Sequence, residues 1–320
     1  MISRRNALLG LGAAGLGAAG LAGCGDKVNQ AIGLGKRVAE IQTRHGGRVG
    51  VSMLIGSGGD STKNGSLSVQ STERFAMCST FKWVLAAAIL QQVDQGKLKV
   101  AQEIKYTKAD LLDYAPVTKM HVDAGKMTIG DLCAAAITLS DNTAANLLLP
   151  LVGGPAGLTA FVRGLGDTVT RFDRNEPSLN TNIEKDEKDT TTPEAMSALL
   201  RTVFTGSVLK ADSLKLLKDW MIATTTGKDR IRAGVPAGYV VGDKTGTGEN
   251  GAANDVAVIW PPAKDGKEQP PMFLSIYTSG GTLDADGRNK VIADLTRLAF
   301  DTLAFASSLD DKAASASASS

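Results

Sequence analysis

Strand-like patterning occurs only toward the two ends of this 320-residue chain, and everything between them reads as helix or loop. Residues 48–55 alternate apolar and polar side chains, Gly56-Ser57-Gly58-Gly59-Asp60 has turn chemistry, and residues 66–70 form a second candidate strand. Strand character returns only at 239–247, 255–260 and 272–278, each stretch bounded by Gly or Pro. From Thr80 onward Phe81, Trp83, Val84, Leu85 and a run of Ala predict a helix to Val93. Helical or loop-like segments continue to about residue 223, including 129–139, 143–149, 193–204 and 211–222. Amphipathic helices are predicted over 30–45, with Ile32, Val38 and Ile41 on one face, and over 288–305. There is no internal repeat. A chain of this order closes a sheet only by bringing its two ends together. The predicted class is therefore α+β: an α/β sandwich lobe, its antiparallel sheet flanked by helices, from 30–74 and 224–308, with an all-α lobe, 75–223, inserted between.

The first 23 residues stand apart from that plan. Arg4 and Arg5 precede an uninterrupted Leu/Gly/Ala run over 8–22, which matches the apolar part of a signal peptide and falls short of the roughly 20 residues that span a membrane. The run closes in Leu21-Ala22-Gly23-Cys24, similar to a bacterial lipobox, in which the Cys is lipidated and becomes the first mature residue. Ser3 to Leu9 is similar to a twin-arginine export signal. Both features predict an exported, extracytoplasmic protein tied to the cell membrane through Cys24; an ordinary cleaved signal and a chance Arg pair are the alternatives. The Ala- and Ser-rich stretch 309–320 predicts a disordered tail.

Composition removes several function classes. Apolar content of 43% and charged content of 21% are ordinary for a globular protein, and a net charge of +2 argues for no nucleic-acid partner. Besides Cys24, only Cys78 and Cys133 remain, without CxxC spacing, and the histidines are only His45 and His121. Such a chain lacks the raw material for a disulfide framework, a multi-histidine metal site or a Ser-His-Asp triad. No metal or organic cofactor is expected.

The chemistry sits in three ordered elements. Ser79-Thr80-Phe81-Lys82 is an SxxK element at a predicted helix start, where i and i+3 share a face and the Lys amine can reach the Ser hydroxyl. Serine is a weak nucleophile without a neighbouring base, and a desolvated Lys can serve. A helix start also offers N–H groups without intrahelical partners. Alone the element means little: about one SxxK is expected by chance in such a chain, and Ser207–Lys210 is another. Ser140-Asp141-Asn142 follows between two helical stretches, and Lys244-Thr245-Gly246 lies on the best C-terminal strand candidate. SxxK, SDN and KTG in this order resemble the class A serine β-lactamases and the penicillin-binding proteins. A long polar segment, 171–193, carries Glu176-Pro177-Ser178-Leu179-Asn180, which resembles the ExxLN pattern of the class A Ω-loop, placed here at 171–189. The resemblance covers about 46–305.

That resemblance implies roles. Ser79, Lys82, Ser140 and Glu176 would be catalytic, Ser79 as the acylated nucleophile and Glu176 as activator of the deacylating water, with Asn180 helping to hold that water. Tyr114, Asn142, Arg230, Lys244, Thr245 and Thr247 would contact substrate, and the backbone N–H groups of Ser79 and Thr247 would form the oxyanion hole. Arg174 and Asp189 would pair at the neck of the Ω-loop, and a cis peptide would precede Pro177. Tyr114 could equally be a half-buried surface residue. Arg230 could be a plain surface charge, with Arg232 the alternative; the other Arg site of the family is Ala253 here. Gly248 stands where class A carbapenemases place the Cys that bridges to the one before the nucleophile, and Ala86 leaves Cys133 without its family partner, so Cys133 reads as a buried free thiol. The implied activity is β-lactam ring hydrolysis by a monomer, conferring antibiotic resistance. A D,D-peptidase or transpeptidase and a penicillin-binding sensor are the rivals, both of which should lack Glu176. Whether Lys82 or Glu176 takes the Ser79 proton stays open.

Overall fold

The computed structural model describes residues 25–56 and 66–318. The export segment, Cys24 and most of the 56–60 turn lie outside the described residues. Along the chain, α1 (Gly25–His45) leads into β1 (Gly47–Ile55), β2 (Ser66–Val69) and the short β3 (Phe75–Ala76). The helical middle comprises α2 (Phe81–Asp94), β4 (Glu103–Lys105), β5 (Lys126–Thr128), α3 (Ile129–Thr138), α4 (Asn142–Leu148), α5 (Gly154–Gly164), β6 (Thr190–Thr191), α6 (Pro193–Thr205) and α7 (Ala211–Ile222). The chain ends with α8 (Ile231–Gly234), β7 (Val240–Thr247), β8 (Ala253–Trp260), β9 (Met272–Gly280) and α9 (Ala285–Ala318).

Five strands form one antiparallel sheet in the order β2-β1-β9-β8-β7. β1 is zipped to β9 along its whole length, from Gly47 opposite Gly280 to Ile55 opposite Met272, so the two ends of the chain meet inside one sheet. Successive side chains on a strand alternate faces. On β8, Ala257 and Ile259 pack into a core shared with Ile41 of α1 and Leu295 and Leu298 of α9. Val256 and Val258 pack the opposite way, into the core that holds Trp83, Leu85 and Met196. The sheet is thus buried on both faces, which is why β8 reads as a nearly continuous apolar run.

The structure departs from the sequence expectation in two places. The middle is not purely helical: β3 pairs with β6 and β4 with β5. Strands of two or three residues are too short for a period of two to register. The stretch 309–318, expected to lack structure, continues α9. Ala is the best helix former, and the run extends a helix already nucleated.

Candidate active site

Ser79 lies in a single 3-10 turn, Cys78–Thr80, one step ahead of α2 rather than in its first α-turn. Cys78 holds φ at 48°, a left-handed conformation uncommon for a side chain with a Cβ, and is fully buried. Its surroundings impose that shape. Met77 N donates to Asp189 O at 2.9 Å, Thr80 Oγ1 to Met77 O at 2.8 Å, and Asn254 Nδ2 to Ala76 O at 2.9 Å. β7 lies against the turn: a Cβ on Gly246 would come within 2.7 Å of Met77 O, and one on Gly248 within 2.6 Å of Cys78 Sγ. Those two glycines bring Thr247 beside the turn that holds Ser79. Burial pushes the Cys78 thiol up to about 12, so it offers no competing thiolate. Cys133 is likewise buried and free, its thiol raised by burial.

Lys82 is fully buried on α2, where the spacing puts its amine within reach of the Ser79 hydroxyl, and its hydrogen bonds go to other partners. Nζ donates to Asn142 Oδ1 at 2.6 Å and Ser140 O at 2.7 Å, and lies 3.0 Å from Glu176 Oε1 and 3.4 Å from Ser140 Oγ. Ser79 Oγ donates to that same Glu176 Oε1 at 3.1 Å. The Ser79 hydroxyl and the Lys82 amine therefore meet on one carboxylate oxygen. Burial lowers the Lys82 ammonium from its ordinary range, against the opposing pull of Glu176.

The loop between α3 and α4 presents Ser140, with φ at 57°. Asp141, between Ser140 and Asn142, caps α4 at Ala144 N and accepts from Val117 N and Thr118 N, each at 2.9 Å. It fixes the loop rather than facing the site. Asn142 N donates to Tyr114 O at 3.0 Å, which brings Tyr114, its side chain half-exposed, to the rim beside this loop. Lys244 projects from β7 to the other side of Ser140: its Nζ donates to Ser140 Oγ at 3.0 Å and to Thr245 O at 2.7 Å. Burial and the nearby Lys82 charge hold Lys244 well below the ordinary lysine range.

The segment 171–189 carries Glu176, 3% exposed, directly before a cis Glu176–Pro177 peptide. Asn180 Nδ2 donates to Glu176 Oε2 at 2.5 Å. Arg174 Nε pairs with Asp189 Oδ2 at 2.6 Å, while Asp189 Oδ1 accepts from Asp173 N at 2.8 Å and Arg174 N at 2.9 Å. Sequence reasoning missed two further fixings. Asn146 on α4 clamps the Glu176 backbone, receiving its N–H at 3.0 Å and donating to its carbonyl at 2.9 Å. Asn182 Nδ2 donates to Asn250 O at 3.0 Å, tying the loop to the β7–β8 turn. Asn146 sits four residues after Asn142, on the same helix face, the one signal that could have found it.

Arg230 is 8% exposed. Its Nη1 donates to Asn254 O at 2.8 Å and Gly246 O at 2.9 Å, Nη2 to Thr247 Oγ1 at 2.8 Å, and Nε to Asn289 Oδ1 on α9 at 2.8 Å. Arg232, the alternative, pairs instead with Asp243 and donates to Ile222 O at 2.9 Å, away from Thr247. Asp243 and Asp255 lie behind Lys244 and Arg230, unread from the sequence. Burial and the neighbouring Asp243 hold the Asp255 carboxyl well above the usual range, and burial raises Asp243 as well. Among the described residues no group of three His, Cys, Asp or Glu is placed to hold a metal ion.

This arrangement can carry acyl transfer: a hydroxyl bonded to a carboxylate, a second hydroxyl between two buried amines, and a cationic wall lined with hydroxyls. Comparisons with known proteins agree. The model of the β-lactamase enzyme family matches residues 33–303. β-Lactamase AST-1 of Nocardia asteroides is 43% identical over 278 residues, 87% of this chain and 86% of that protein. β-Lactamase CTX-M-8 of Citrobacter amalonaticus is 41% identical over 272 residues, 85% of this chain and 90% of that one. A solved structure of the class A β-lactamase of the last common ancestor of Gram-negative bacteria superposes with a TM-score of 0.79 at 52% identity, covering 84% of this chain and 99% of that one. The chain belongs to the β-lactamase enzyme family, and within it to the class A serine β-lactamases.

Proposed function

We propose that this chain opens the lactam ring of penicillin- and cephalosporin-type antibiotics through an ester on Ser79, and so confers resistance to them. The observation that carries the reading is the bond from Ser79 Oγ to Glu176 Oε1 at 3.1 Å, on an oxygen also held by Lys82. Ser79 Oγ attacks the lactam carbonyl while its proton passes to Glu176, the base nearest along an existing hydrogen bond. Lys82 Nζ, 3.0 Å from that oxygen, holds the carboxylate in place. The carbonyl oxygen draws on the N–H groups of Ser79 and Thr247. As the C–N bond breaks, Ser140 gives its proton to the lactam nitrogen and is resupplied by Lys82 at 3.4 Å, with Lys244 donating to it at 3.0 Å. Lys82 regains a proton from Glu176 at 3.0 Å, which returns Glu176 to its carboxylate form before the second half. In the second half, water attacks the ester carbonyl, Glu176 takes its proton, and Ser79 leaves with a proton restored. Asn180 Oδ1, buried and without a protein partner, is an acceptor available to that water. The substrate carboxylate binds among Lys244, Thr245 and Thr247, with Arg230 behind, and Tyr114 walls the entrance.

A D,D-peptidase or a penicillin sensor would share Ser79, Lys82, Ser140 and Lys244 but needs no Glu176. A chromogenic cephalosporin separates the readings: sustained turnover supports hydrolysis, and a single stoichiometric burst overturns it. Glu176→Ala should then react once and stall, deacylation falling by at least about 10²–10⁴-fold. Mass spectrometry should find one intact antibiotic added at Ser79. Turnover by the variant at the wild-type rate without an adduct would overturn the role of Glu176.

We also propose that the protein is exported through its Arg4-Arg5 signal, carried on the membrane by a lipidated Cys24, and works as a monomer. The motifs of residues 3–24 support the first two readings. A site furnished within one chain supports the third.

A further inference from the structure

Between α7 and α8 run three consecutive threonines and a glycine, Thr224-Thr225-Thr226-Gly227, which belong to none of the motifs above. Each hydroxyl has its own partner. Thr224 Oγ1 donates to Asp243 O at 2.8 Å, Thr225 Oγ1 to Thr138 O at 3.3 Å, and Thr226 Oγ1 is hydrogen-bonded to Thr245 Oγ1 at 2.6 Å. Thr225 N donates to Thr138 O as well, at 3.1 Å. Gly227 rides so close to β7 that a Cβ there would lie 1.9 Å from Asp243 Oδ2. The segment is strapped to α3 on one side and β7 on the other, so the Thr226 hydroxyl is held against that of Thr245.

We propose that Thr226 is a further member of the site that binds the substrate carboxylate, acting with Thr245 as a pair of hydroxyls that presents one O–H to the anion. The inference rests on the carboxylate site described under the proposed function. A hydroxyl has one proton and two lone pairs. Two hydroxyls 2.6 Å apart use one of their two protons between themselves and leave the other for a third partner. That count holds whichever of the two donates. Thr245 lies between Lys244 and Thr247 in sequence, at a wall carrying the Lys244 and Arg230 charges, where an anion is the favoured acceptor. Thr247 is organised in the same manner: its Oγ1 accepts from Arg230 Nη2 at 2.8 Å, which leaves its own proton free. Each substrate-facing threonine is thus oriented from behind, one by a guanidinium and the other by Thr226. Without Thr226 the Thr245 hydroxyl loses the partner that fixes its rotor.

The test compares a penicillin bearing its free carboxylate with the methyl ester of the same penicillin, on wild type, Thr226→Val and Thr226→Ser. Val keeps the branched shape and removes the hydroxyl; Ser keeps the hydroxyl. Thr226→Val should raise KM for the acid about tenfold, the scale of one hydrogen bond to a charged group, with kcat within about twofold. It should leave the ester at its wild-type values, and Thr226→Ser should recover the acid. An unchanged KM for the acid, an equal loss on acid and ester, or failure of Ser to recover would each overturn the proposal. If Val disturbs folding, Thr226→Ala gives the same readout at this half-buried position. A wild-type protein with no preference for acid over ester would overturn the carboxylate site itself, and the proposal with it; that failure shows before any substitution is made.

Discussion

Arg230 commits its whole guanidinium to protein oxygens, so its removal has two separable consequences. Arg230→Ala leaves Gly246 O and Asn254 O, both internal, short of a donor, at about 1–3 kcal/mol of stability. It also frees Thr247 Oγ1 and weakens the anion site, so KM for a penicillin should rise, with a loss on the order of 1–3 kcal/mol in kcat/KM. Arg232→Ala breaks the pair with Asp243 instead and should lower the unfolding midpoint with a much smaller change in KM. Steady-state kinetics beside urea unfolding distinguish the two; equal KM effects would remove the distinction drawn between these arginines. Lys244 yields a pH prediction. Its folded-state affinity for a proton is well below that in the unfolded chain, because burial and Lys82 oppose its charge. Between the depressed folded value and the unfolded value of about 10.4, the unfolded state binds the extra proton, so this group makes stability rise with pH. Lys244→Met removes the dependence. Its stability relative to wild type should be most favourable in acid and decline as pH rises toward the unfolded lysine value of about 10.4, read from unfolding midpoints. A difference independent of pH would contradict the burial argument.

The loop that carries Glu176 is held by its neck and by its flank, and these determine whether the carboxylate stays on Ser79. Asp189 accepts from Arg174 Nε and from two backbone N–H groups, while its own carbonyl receives Met77 N from the turn before the nucleophile. Asp189→Ala should therefore slow deacylation more than acylation, seen as a burst followed by a reduced steady rate. Asp189 also adopts φ of 56°, which Asn tolerates better than Ala, so Asp189→Asn should fall between wild type and Ala. Equal slowing of both half-reactions would mean that the neck does not act through Glu176. Elements that could be read locally were the ones found in the sequence: α2 from its apolar run, β8 from an unbroken buried strand, and the loop from its lack of periodicity. Ser79, Lys82, Glu176 and Lys244 were picked out because SxxK, ExxLN and KTG, in that setting, resemble the class A motifs; spacing alone would not have singled them out. The clamps Asn146, Asn182 and Asn254 were not, since an amide serving backbone groups far along the chain leaves no local period. Nor was the Lys82–Glu176 contact, which led the spacing argument to aim Lys82 at Ser79. That spacing measures reach along one helix and is blind to a carboxylate delivered by another segment.

The whole molecule is held by contacts between its ends. β1 and β9 pair along their full length, and α1 and α9 pack together over the sheet, with Arg37–Asp301 and Arg44–Asp294 pairs, each at 2.5 Å, at their exposed edge. Such exposed pairs contribute little; the apolar faces beneath them carry the contact. None of the residues proposed for catalysis or substrate binding lies in α1, which begins at Gly25, directly after the Cys24 expected to carry lipid. Attachment to a membrane and catalysis should accordingly be separable. A single acyl chain, at about 0.8 kcal/mol per buried CH₂, binds membranes only reversibly, so stable retention requires more than one chain on Cys24. Cys24→Ala should move the protein from the membrane fraction to the soluble one, without changing kcat/KM on a soluble penicillin by more than about twofold. The N-terminal peptide of wild type should carry the mass of the acyl chains, and that of the variant should not. Wild type found wholly soluble with an unmodified Cys24 would refute the anchor. A variant that leaves the membrane but also loses turnover would show that the N-terminal helix does more than tether the sheet behind it.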